Sequence, residues 1–275
     1  KLKGGPEDLL PPRCRPVGLG AAVDWGALYR SLSSAASTRA PGPSGLRFSH
    51  LQGFRVHPQA MFYLGVISDR IADGDLPEAA VEFLALTKLT PLKKDGGGIR
   101  PVAGGECLRK LAARALVREH RGTLHDAVGK HQYGAGRPGG AETLVHAVQV
   151  ASAARPNHAW VKLDVANAFP SVSRRAVLEG LQEHAPALVP MAETFLRRSS
   201  SFLFVGASGR GEALHATLGV EQGDVLGPLL FAVAFRKPVE QLRDALVLSL
   251  QEEFGYSLEE ADAAAILGAY LDDVL

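Results

Sequence analysis

The sequence predicts an α+β fold in which helices and short strands follow one another without regular alternation. Three observations support this fold class. Apolar residues recur at helical spacing in several segments, two extended runs flank a Gly-rich turn at Asp95–Gly98, and two apolar runs of strand length end in aspartates, at Asp164 and at Asp272. The strands and helices do not repeat in the order expected of a parallel α/β sheet. With 275 residues, 46% of them hydrophobic, the chain is long enough to bury a core.

The first half of the chain is predicted to contain a loop, a hairpin and four helices. The Pro-, Gly- and Ser-rich stretch at Ser37–Gly45 is typical of a loop. The hairpin spans Lys88–Ala103 and turns at Asp95–Gly98. In the third helix the apolar side carries Leu108, Leu111, Leu116 and Val117, and the cations Arg109, Lys110, Arg114 and Arg118 are expected elsewhere on its surface. The predicted helices are Pro58–Arg70, Leu76–Leu86, Glu106–His125 and Ala141–Ala154.

The second half of the chain is predicted to alternate between strands and helices less regularly. A buried strand is expected at His158–Val165, and two further strands at Ser200–Val205 and Glu212–Val220. An apolar run at Ala263–Leu275 ends with two adjacent aspartates. The predicted helices here are Arg174–Glu183, Pro190–Arg198, a buried one at Asp224–Phe235, and Pro238–Glu253.

Charge is distributed unevenly along the chain. Residues 1–130 carry 19 Lys and Arg against 12 Asp and Glu, whereas residues 131–275 carry 11 against 17. A basic first half favours contact with phosphates and an acidic second half is compatible with cation binding, although drift of surface charge gives the same pattern. No apolar run is long enough for a membrane-spanning helix, and Cys14 and Cys107 match no metal-ligand spacing.

Three aspartates are the candidate catalytic residues. Asp164 follows the apolar run WVKL, and Asp272 and Asp273 follow AILGAYL. Carboxylates brought together at the ends of buried strands raise one another's pKa unless cations neutralise them. A pair of Mg²⁺ ions would provide that neutralisation and would suit nucleotidyl transfer. Two ordinary structural roles remain open, because Asp-Asp pairs are common in turns and Asp164 could cap a helix.

Six segments in a fixed order resemble the conserved motifs of reverse transcriptases. The similarity is greatest to the LINE-type, non-LTR retrotransposon members. The segments are APGPSGLRFSHL (Ala40–Leu51), LKKDGGGIRPVA (Leu92–Ala103), HQYGAGRPGGAETLVHAV (His131–Val148), LDVANAF (Leu163–Phe169), GVEQGDVLGPLLF (Gly219–Phe231) and YLDD (Tyr270–Asp273).

The resemblance implies a right-hand polymerase fold. Residues 1–87 would form an N-terminal extension and the start of the fingers, residues 88–157 the fingers, and residues 158–275 a palm whose antiparallel sheet packs on helices. The thumb is expected to lie outside this chain, which ends two residues after Asp273 and begins without Met. We therefore expect a piece of a longer reading frame, with an unpaired hairpin arm at YLDD and with little or no activity by itself.

The resemblance also implies an activity, RNA-directed DNA synthesis. The partners would be an RNA template, a DNA or RNA primer, and dNTPs added to the primer 3′-hydroxyl. Two Mg²⁺ ions would serve as cofactors, with Mn²⁺ as a possible substitute. An intracellular location, nuclear or cytoplasmic, would follow, without a membrane partner. Two alternatives are a remnant that binds RNA without polymerising and an RNA-dependent RNA polymerase, which Phe169 and Gln222-Gly223 disfavour.

Individual roles follow from the same resemblance. Asp164, Asp272 and Asp273 would bind the metal ions together with the backbone carbonyl of Val165. Phe169 would be the gate beneath the deoxyribose, unless it is a core residue. Arg137 would contact the template, unless it is a solvent-exposed loop residue. The remaining predicted substrate contacts are a triphosphate clamp formed by Arg100 and by Lys93, Lys94 or the nearby Lys88, and a nucleotide pocket formed by Gln222, Gly223 and Tyr270.

Overall fold

The computed structural model describes residues 23–93, 95, 97–206 and 210–274, which form a mixed assembly of helices and strands. This content agrees with the predicted α+β class. The helices are α1 (Trp25–Ser33), α2 (Phe48–Gln52), α3 (Pro58–Asp73), α4 (Glu78–Ala85), α5 (Cys107–Glu119), α6 (Arg121–Ala127), α7 (Gly140–Ala154), α8 (Ala168–Ser171), α9 (Arg174–His184), α10 (Val189–Leu196), α11 (Gly227–Phe254) and α12 (Leu258–Ala264). The strands are β1 (Thr87–Lys93), β2 (Ile99–Gly104), β3 (Leu163–Asp164), β4 (Ser200–Val205), β5 (Gly211–Ala216), β6 (Ala269–Tyr270) and β7 (Asp273–Val274).

The main hydrophobic core joins the N-terminal helices to α9, α10 and the first half of α11. Helix α5 lies at its centre and packs against α1 and α3. Its buried side chains include three alanines beside Leu111 and Leu116, and such small residues let neighbouring helices approach closely. The fully buried side chains of this core include Leu28, Ile71, Leu111, Leu116, Leu181, Leu188 and Met191.

A four-stranded sheet has the strand order β2-β1-β4-β5. Strands β1 and β2 form the predicted antiparallel hairpin, from Lys88 opposite Gly104 to Lys93 opposite Ile99. Strands β4 and β5 form a second antiparallel hairpin, and β4 runs parallel to β1. The sheet therefore links the hairpin at Lys88–Ala103 to a segment more than 100 residues later in the chain.

A three-stranded antiparallel sheet has the order β3-β7-β6. Val274 pairs with Ala269 on one side and with Leu163 on the other. The expectation of an unpaired hairpin arm at YLDD is therefore wrong, because Asp273 and Val274 already form the return strand.

The prediction of a buried strand at His158–Val165 is wrong in both the length and the burial of the strand. Only Leu163 and Asp164 pair, and Val161 and Leu163 are 65% and 46% exposed. Strand β3 is an edge strand, and the described residues place no second layer over these two apolar side chains. The neighbouring α7 was predicted nearly as observed, yet its only buried residue is Gly140.

Two predicted helix boundaries are also wrong. The helix expected at Glu106–His125 is interrupted at His120, whose backbone leaves the helical conformation between α5 and α6. Conversely, the helices expected at Asp224–Phe235 and Pro238–Glu253 form one helix of 28 residues with Pro238 inside it. A proline removes one backbone hydrogen bond, but Val239 just beyond it packs into a second core cluster with Leu267, Ala269 and Val274. That packing stabilises the part of α11 that follows Pro238.

No described helix is long and apolar enough to cross a membrane.

Arg174, at the start of α9, is a buried cation that joins four segments. It is 2% exposed and donates to the carbonyls of Gly219, Leu196 and Arg198 at 3.0, 3.2 and 2.6 Å. It also donates to Ser200 Oγ at 2.8 Å. Burial lowers the pKa of Arg174 to about 10, so the guanidinium remains charged at neutral pH. These bonds explain why β5 ends at Ala216 rather than at Val220, since the chain turns there to meet Arg174 and α8.

We predict that Arg174→Met lowers the free energy of unfolding by roughly 3 kcal/mol, because several buried carbonyls would lose their donor. The control is Arg175→Met, which removes a neighbouring exposed arginine paired with Glu179 at 2.7 Å and is expected to leave the free energy of unfolding nearly unchanged, because exposed ion pairs contribute little. Urea denaturation of both variants measures the difference. Equal losses would contradict the role assigned to Arg174.

Candidate active site

Two of the three aspartates predicted to be catalytic lie on adjacent strands of the small sheet, and Asp272 lies in the turn between β6 and β7. Asp164 on β3 is directly opposite Asp273 on β7. Directly opposed residues of an antiparallel pair share one face of the sheet. The backbone N–H of Val165 donates to the carbonyl of Asp272 at 3.3 Å, so Asp272 is held beside the strand that carries Asp164.

This arrangement concentrates negative charge. Like charges opposite each other in a sheet are destabilising unless a cation compensates them. Lys162 supplies one such cation, with its Nζ 3.0 Å from Asp273 Oδ1. The contact with Asp273 raises the pKa of Lys162, and the charges of Asp164 and Asp272 raise it further. All three carboxylates therefore act on the ammonium group of Lys162.

The donor set fits a hard divalent cation, although the side chains are not yet gathered around one point. Among the described residues, no group of three His, Cys, Asp or Glu side chains converges closely enough to hold a metal ion. Carboxylate oxygens are nevertheless the ligands that Mg²⁺ prefers, and the ammonium of Lys162 already occupies the place of a cation beside Asp273. Lys162 engages Asp273 Oδ1, so that oxygen becomes available to an ion only if Lys162 moves away.

Gln132, which was not among the predicted site residues, holds the turn that carries Asp272. This side chain is 3% exposed. Its Oε1 accepts from the Leu271 N–H at 2.8 Å and its Nε2 donates to the Leu271 carbonyl at 3.3 Å. Leu271 has a positive φ of 57°, which is costly for a branched residue. Gln132 therefore fixes a strained turn from both sides, and its place in the motif HQYG was the signal that could have identified it.

The segment around Gln132 runs alongside β6. Ala269 donates to the His131 carbonyl and Tyr133 donates to the Ala269 carbonyl, both at 2.7 Å. A Cβ on Gly134 would lie 2.6 Å from the Leu271 nitrogen, so only glycine allows this approach. Tyr270, a predicted substrate contact, is paired with Asp273 in the same turn and is 39% exposed.

Phe169 lies one short turn beyond the strand of Asp164, in α8. Its ring stacks on Phe231 with a centroid distance of 5.0 Å and an interplanar angle of 15°. Phe231 stacks in turn on Phe235 at 5.1 Å. Phe169 is half-buried and packs on the main core, so its ring has a rigid backing while part of it remains accessible.

Gln222 and Gly223 form a tight turn against the base of the β1–β2 hairpin. The Ala103 N–H donates to the Gln222 carbonyl at 2.7 Å. Gly223 has a φ of 108°, and a Cβ there would lie 2.6 Å from the Ala103 carbonyl oxygen. The predicted helix start at Asp224 is wrong, because α11 begins at Gly227. Instead, the Asp224 carboxylate accepts from the Leu226 N–H at 2.9 Å, within the turn.

Arg109 of α5 supports this turn from below. It is buried, contrary to the expectation that it would lie away from the apolar side of its helix. Its guanidinium donates to Asp224, lies 3.7 Å from Glu221 and rests on the Phe195 ring. Burial raises the pKa of Glu221, and Arg109 opposes that shift. A single cation thus holds the carboxylates on both sides of Gln222-Gly223. Periodicity alone does not distinguish such a buried arginine from a surface one.

The basic residues predicted to clamp a triphosphate lie on the β1–β2 hairpin. Arg100 is opposite Leu92 and Lys93 is opposite Ile99, and both cations are exposed. Within the described residues neither forms an ion pair with a carboxylate. Lys94 lies outside the described residues. The hairpin reaches the Gln222 turn through Ala103, and no described contact joins Lys93 or Arg100 to the three aspartates.

Arg137, predicted to contact the template, is engaged within its own loop. Its Nη2 donates to the Lys130 carbonyl at 2.8 Å, and its guanidinium lies 4.7 Å from the Tyr133 ring centroid. Arg137 therefore braces the segment that carries Gln132, and contact with a template stays a prediction.

Comparison with known proteins identifies one family. Residues 92–275 match the family described as reverse transcriptase (RNA-dependent DNA polymerase). The chain is also 28% identical over 240 residues to the retrotransposable element SLACS 132 kDa protein of Trypanosoma brucei gambiense. That alignment covers 86% of this chain and 18% of the SLACS protein, so the chain spans about a fifth of the length of that relative.

Proposed function

This chain belongs to the reverse transcriptase (RNA-dependent DNA polymerase) family, and we propose that it supplies the fingers and palm of an enzyme that copies RNA into DNA. The observation that carries the proposal is the pairing of Asp164 opposite Asp273, with Asp272 in the adjoining turn. The similarity to a retrotransposable element protein supports a role in an element of the non-LTR kind. Residues 88–157 would form the fingers and residues 158–275 the palm.

The carboxylates would hold two Mg²⁺ ions, with Mn²⁺ as a substitute. Such ions lower the pKa of an attacking hydroxyl and stabilise the charge that develops on the transferred phosphate. In the chain, Asp164 and Asp272 would be the principal ligands, Asp273 a third, and the Val165 carbonyl a fourth. Lys162 keeps Asp273 neutralised until a cation replaces it. Gln132 holds the turn at Leu271, so that the direction of the Asp272 side chain is preset.

The substrates would be an RNA template, a DNA or RNA primer, and dNTPs. Arg100 and Lys93 are unpaired within the described residues and exposed on the hairpin, which suits a charge-assisted contact with a triphosphate. Gln222 and Gly223 would form the floor of the nucleotide pocket, where the absence of a side chain at Gly223 allows the backbone of the hairpin to approach closely. Tyr270 would contact the substrate beside Asp273.

Phe169 would select deoxyribose over ribose. A ring in van der Waals contact with C2′ leaves no room for the 2′-hydroxyl, which is the group that distinguishes ribonucleotides. The stack of Phe231 and Phe235 behind Phe169 supports this role, because a gate excludes a hydroxyl only if the ring cannot retreat.

We predict that Asp164→Asn lowers the rate of primer extension on an RNA template by roughly 100- to 1,000-fold, since a catalytic metal supplies several kcal/mol. The assay supplies dNTPs and Mg²⁺ and compares the variant with the unsubstituted protein. The control is Asp75→Asn, which removes an exposed carboxylate paired with Arg70 and is expected to leave the rate unchanged. Full extension by Asp164→Asn would reject the proposed metal site.

For the gate, we expect Phe169→Val to raise the use of rNTPs relative to dNTPs by roughly 10- to 100-fold, because relief of a clash of about 1.4 kcal/mol changes a rate tenfold. Incorporation of single matched nucleotides measures this ratio. The control is Phe83→Val, which removes a half-exposed ring of α4 outside this stack and should leave the ratio unchanged. An unchanged ratio in Phe169→Val would show that Phe169 is a core residue without a role in selection.

A further inference from the structure

A row of cations follows one face of α5. Lys110, Arg114 and Arg118 lie on successive turns of this helix. At 1.5 Å per residue the row is about 12 Å long. Arg39, in the loop that follows α1, lies close enough to both Lys110 and Arg114 to lower their pKa. We call these four residues the α5 basic row.

Two members of the α5 basic row converge on one neutral group. Arg114 Nη2 donates to Ser34 Oγ at 3.3 Å, and Arg118 Nη2 donates to the same oxygen at 3.1 Å. Arg118 Nε also donates to Ser31 Oγ at 3.3 Å. A hydroxyl accepts hydrogen bonds without neutralising charge, so two guanidinium groups are held together with their repulsion uncompensated.

The α5 basic row has no carboxylate partner in the described part of the chain. Arg114 Nε is buried and has no hydrogen-bond partner there. The repulsion from Arg39 and Arg118 adds to burial in lowering the pKa of Arg114. Nearby acids are engaged elsewhere: Glu106 accepts from the Ser44 hydroxyl at 2.6 Å, and Glu119 accepts from the Asp24 N–H at 2.9 Å.

Other arginines of the molecule behave differently. Ion pairs with carboxylates hold Arg30, Arg70, Arg175, Arg198, Arg236 and Arg243. The chain therefore does not lack acidic partners in general, yet none of the four members of the α5 basic row forms an ion pair within the described residues. Uncompensated like charges at this spacing suit a ligand with repeated negative charges.

We propose that the α5 basic row binds the phosphate backbone of single-stranded RNA next to the candidate active site. The identity of the polyanion rests on the proposed polymerase function. Phosphates recur along a strand as the cations recur along α5, and guanidinium groups bind phosphate through paired donors. The row also begins near the Gln222 turn, because the charge of Asp224, which Arg109 holds in that turn, acts on Lys110 as well. An RNA strand on this face would lead toward the Gln222 turn.

The test measures binding of a fluorescent single-stranded RNA oligomer by this chain at 50 to 200 mM salt, without Mg²⁺ or dNTPs. The variant is Lys110→Gln/Arg114→Gln/Arg118→Gln. Each lost phosphate contact reduces the slope of log K against log salt by about 0.7 for a single strand, so three contacts reduce it by about 2. Between 50 and 200 mM salt, the wild-type chain should therefore lose about 16-fold more affinity than the variant loses.

The matched control is Arg30→Gln/Arg70→Gln/Arg175→Gln, which removes the same charge from arginines that have carboxylate partners, and it should keep the wild-type slope. Arg114→Lys/Arg118→Lys, which retains the charge, should keep most of the wild-type slope. Circular dichroism checks folding; if the triple variant is unfolded, Arg118→Gln alone should still reduce the slope by about 0.7.

A wild-type slope in a folded variant would overturn the proposal. So would equal losses in the variant and the control, or loss of binding to polyglutamate with RNA binding intact, which would assign the row to an acidic protein. Because no nucleotide or metal is present, failure here is separate from failure of the polymerase proposal, which primer extension measures.

Discussion

The pairing of β3 with β7 is the constraint on which the rest of the site depends. It sets Asp164 opposite Asp273 and ties Val165 to the Asp272 carbonyl, so that three carboxylates lie on two short strands and the turn beside them. Such an arrangement is unfavourable without a cation. The fold maintains it by fixing the backbone: the turn at Leu271 is held by Gln132, and Val274 is anchored in a core cluster with Val239 and Ala269. Negative charge is thus concentrated where a divalent ion would offset it.

Three buried polar side chains fix the backbone of the surrounding loops in a similar way. Gln132 holds the turn of Asp272, Arg109 holds the turn of Gln222 and Gly223, and Arg174 gathers the ends of α10, β4 and β5 near Gly219. Each satisfies backbone or carboxylate groups that would otherwise be buried without a partner. Because β1 and β2 join β4 and β5 in one sheet, the hairpin with Lys93 and Arg100 is connected to the same framework. A few buried side chains, rather than long strands, therefore position the loops of the site.

The local elements were predictable, and the long-range contacts were not. The β1–β2 hairpin and most helices follow from turn residues and apolar periodicity, and the order of the motifs indicated the family. Burial of Arg109 was not predictable, because its partners Glu221 and Asp224 lie more than 100 residues away and helical spacing does not record them. The parallel pairing of β1 with β4 was missed for the same reason. The continuous α11 contradicts the rule that proline ends a helix, since packing at Val239 outweighs one lost hydrogen bond. The exposed strand at Leu163 shows that an apolar run predicts a strand without predicting what covers it.

Direct observation of a bound ion is the measurement closest to the central claim. Crystals of the protein with primer, RNA template and dNTP can be soaked in Mn²⁺ and measured for anomalous scattering. We expect peaks roughly 2–2.5 Å from the carboxylates of Asp164 and Asp272, as hard cations bind oxygen, with Lys162 displaced from Asp273. Mn²⁺ bound elsewhere while Lys162 keeps its contact with Asp273 would contradict the assignment of these aspartates as the metal site.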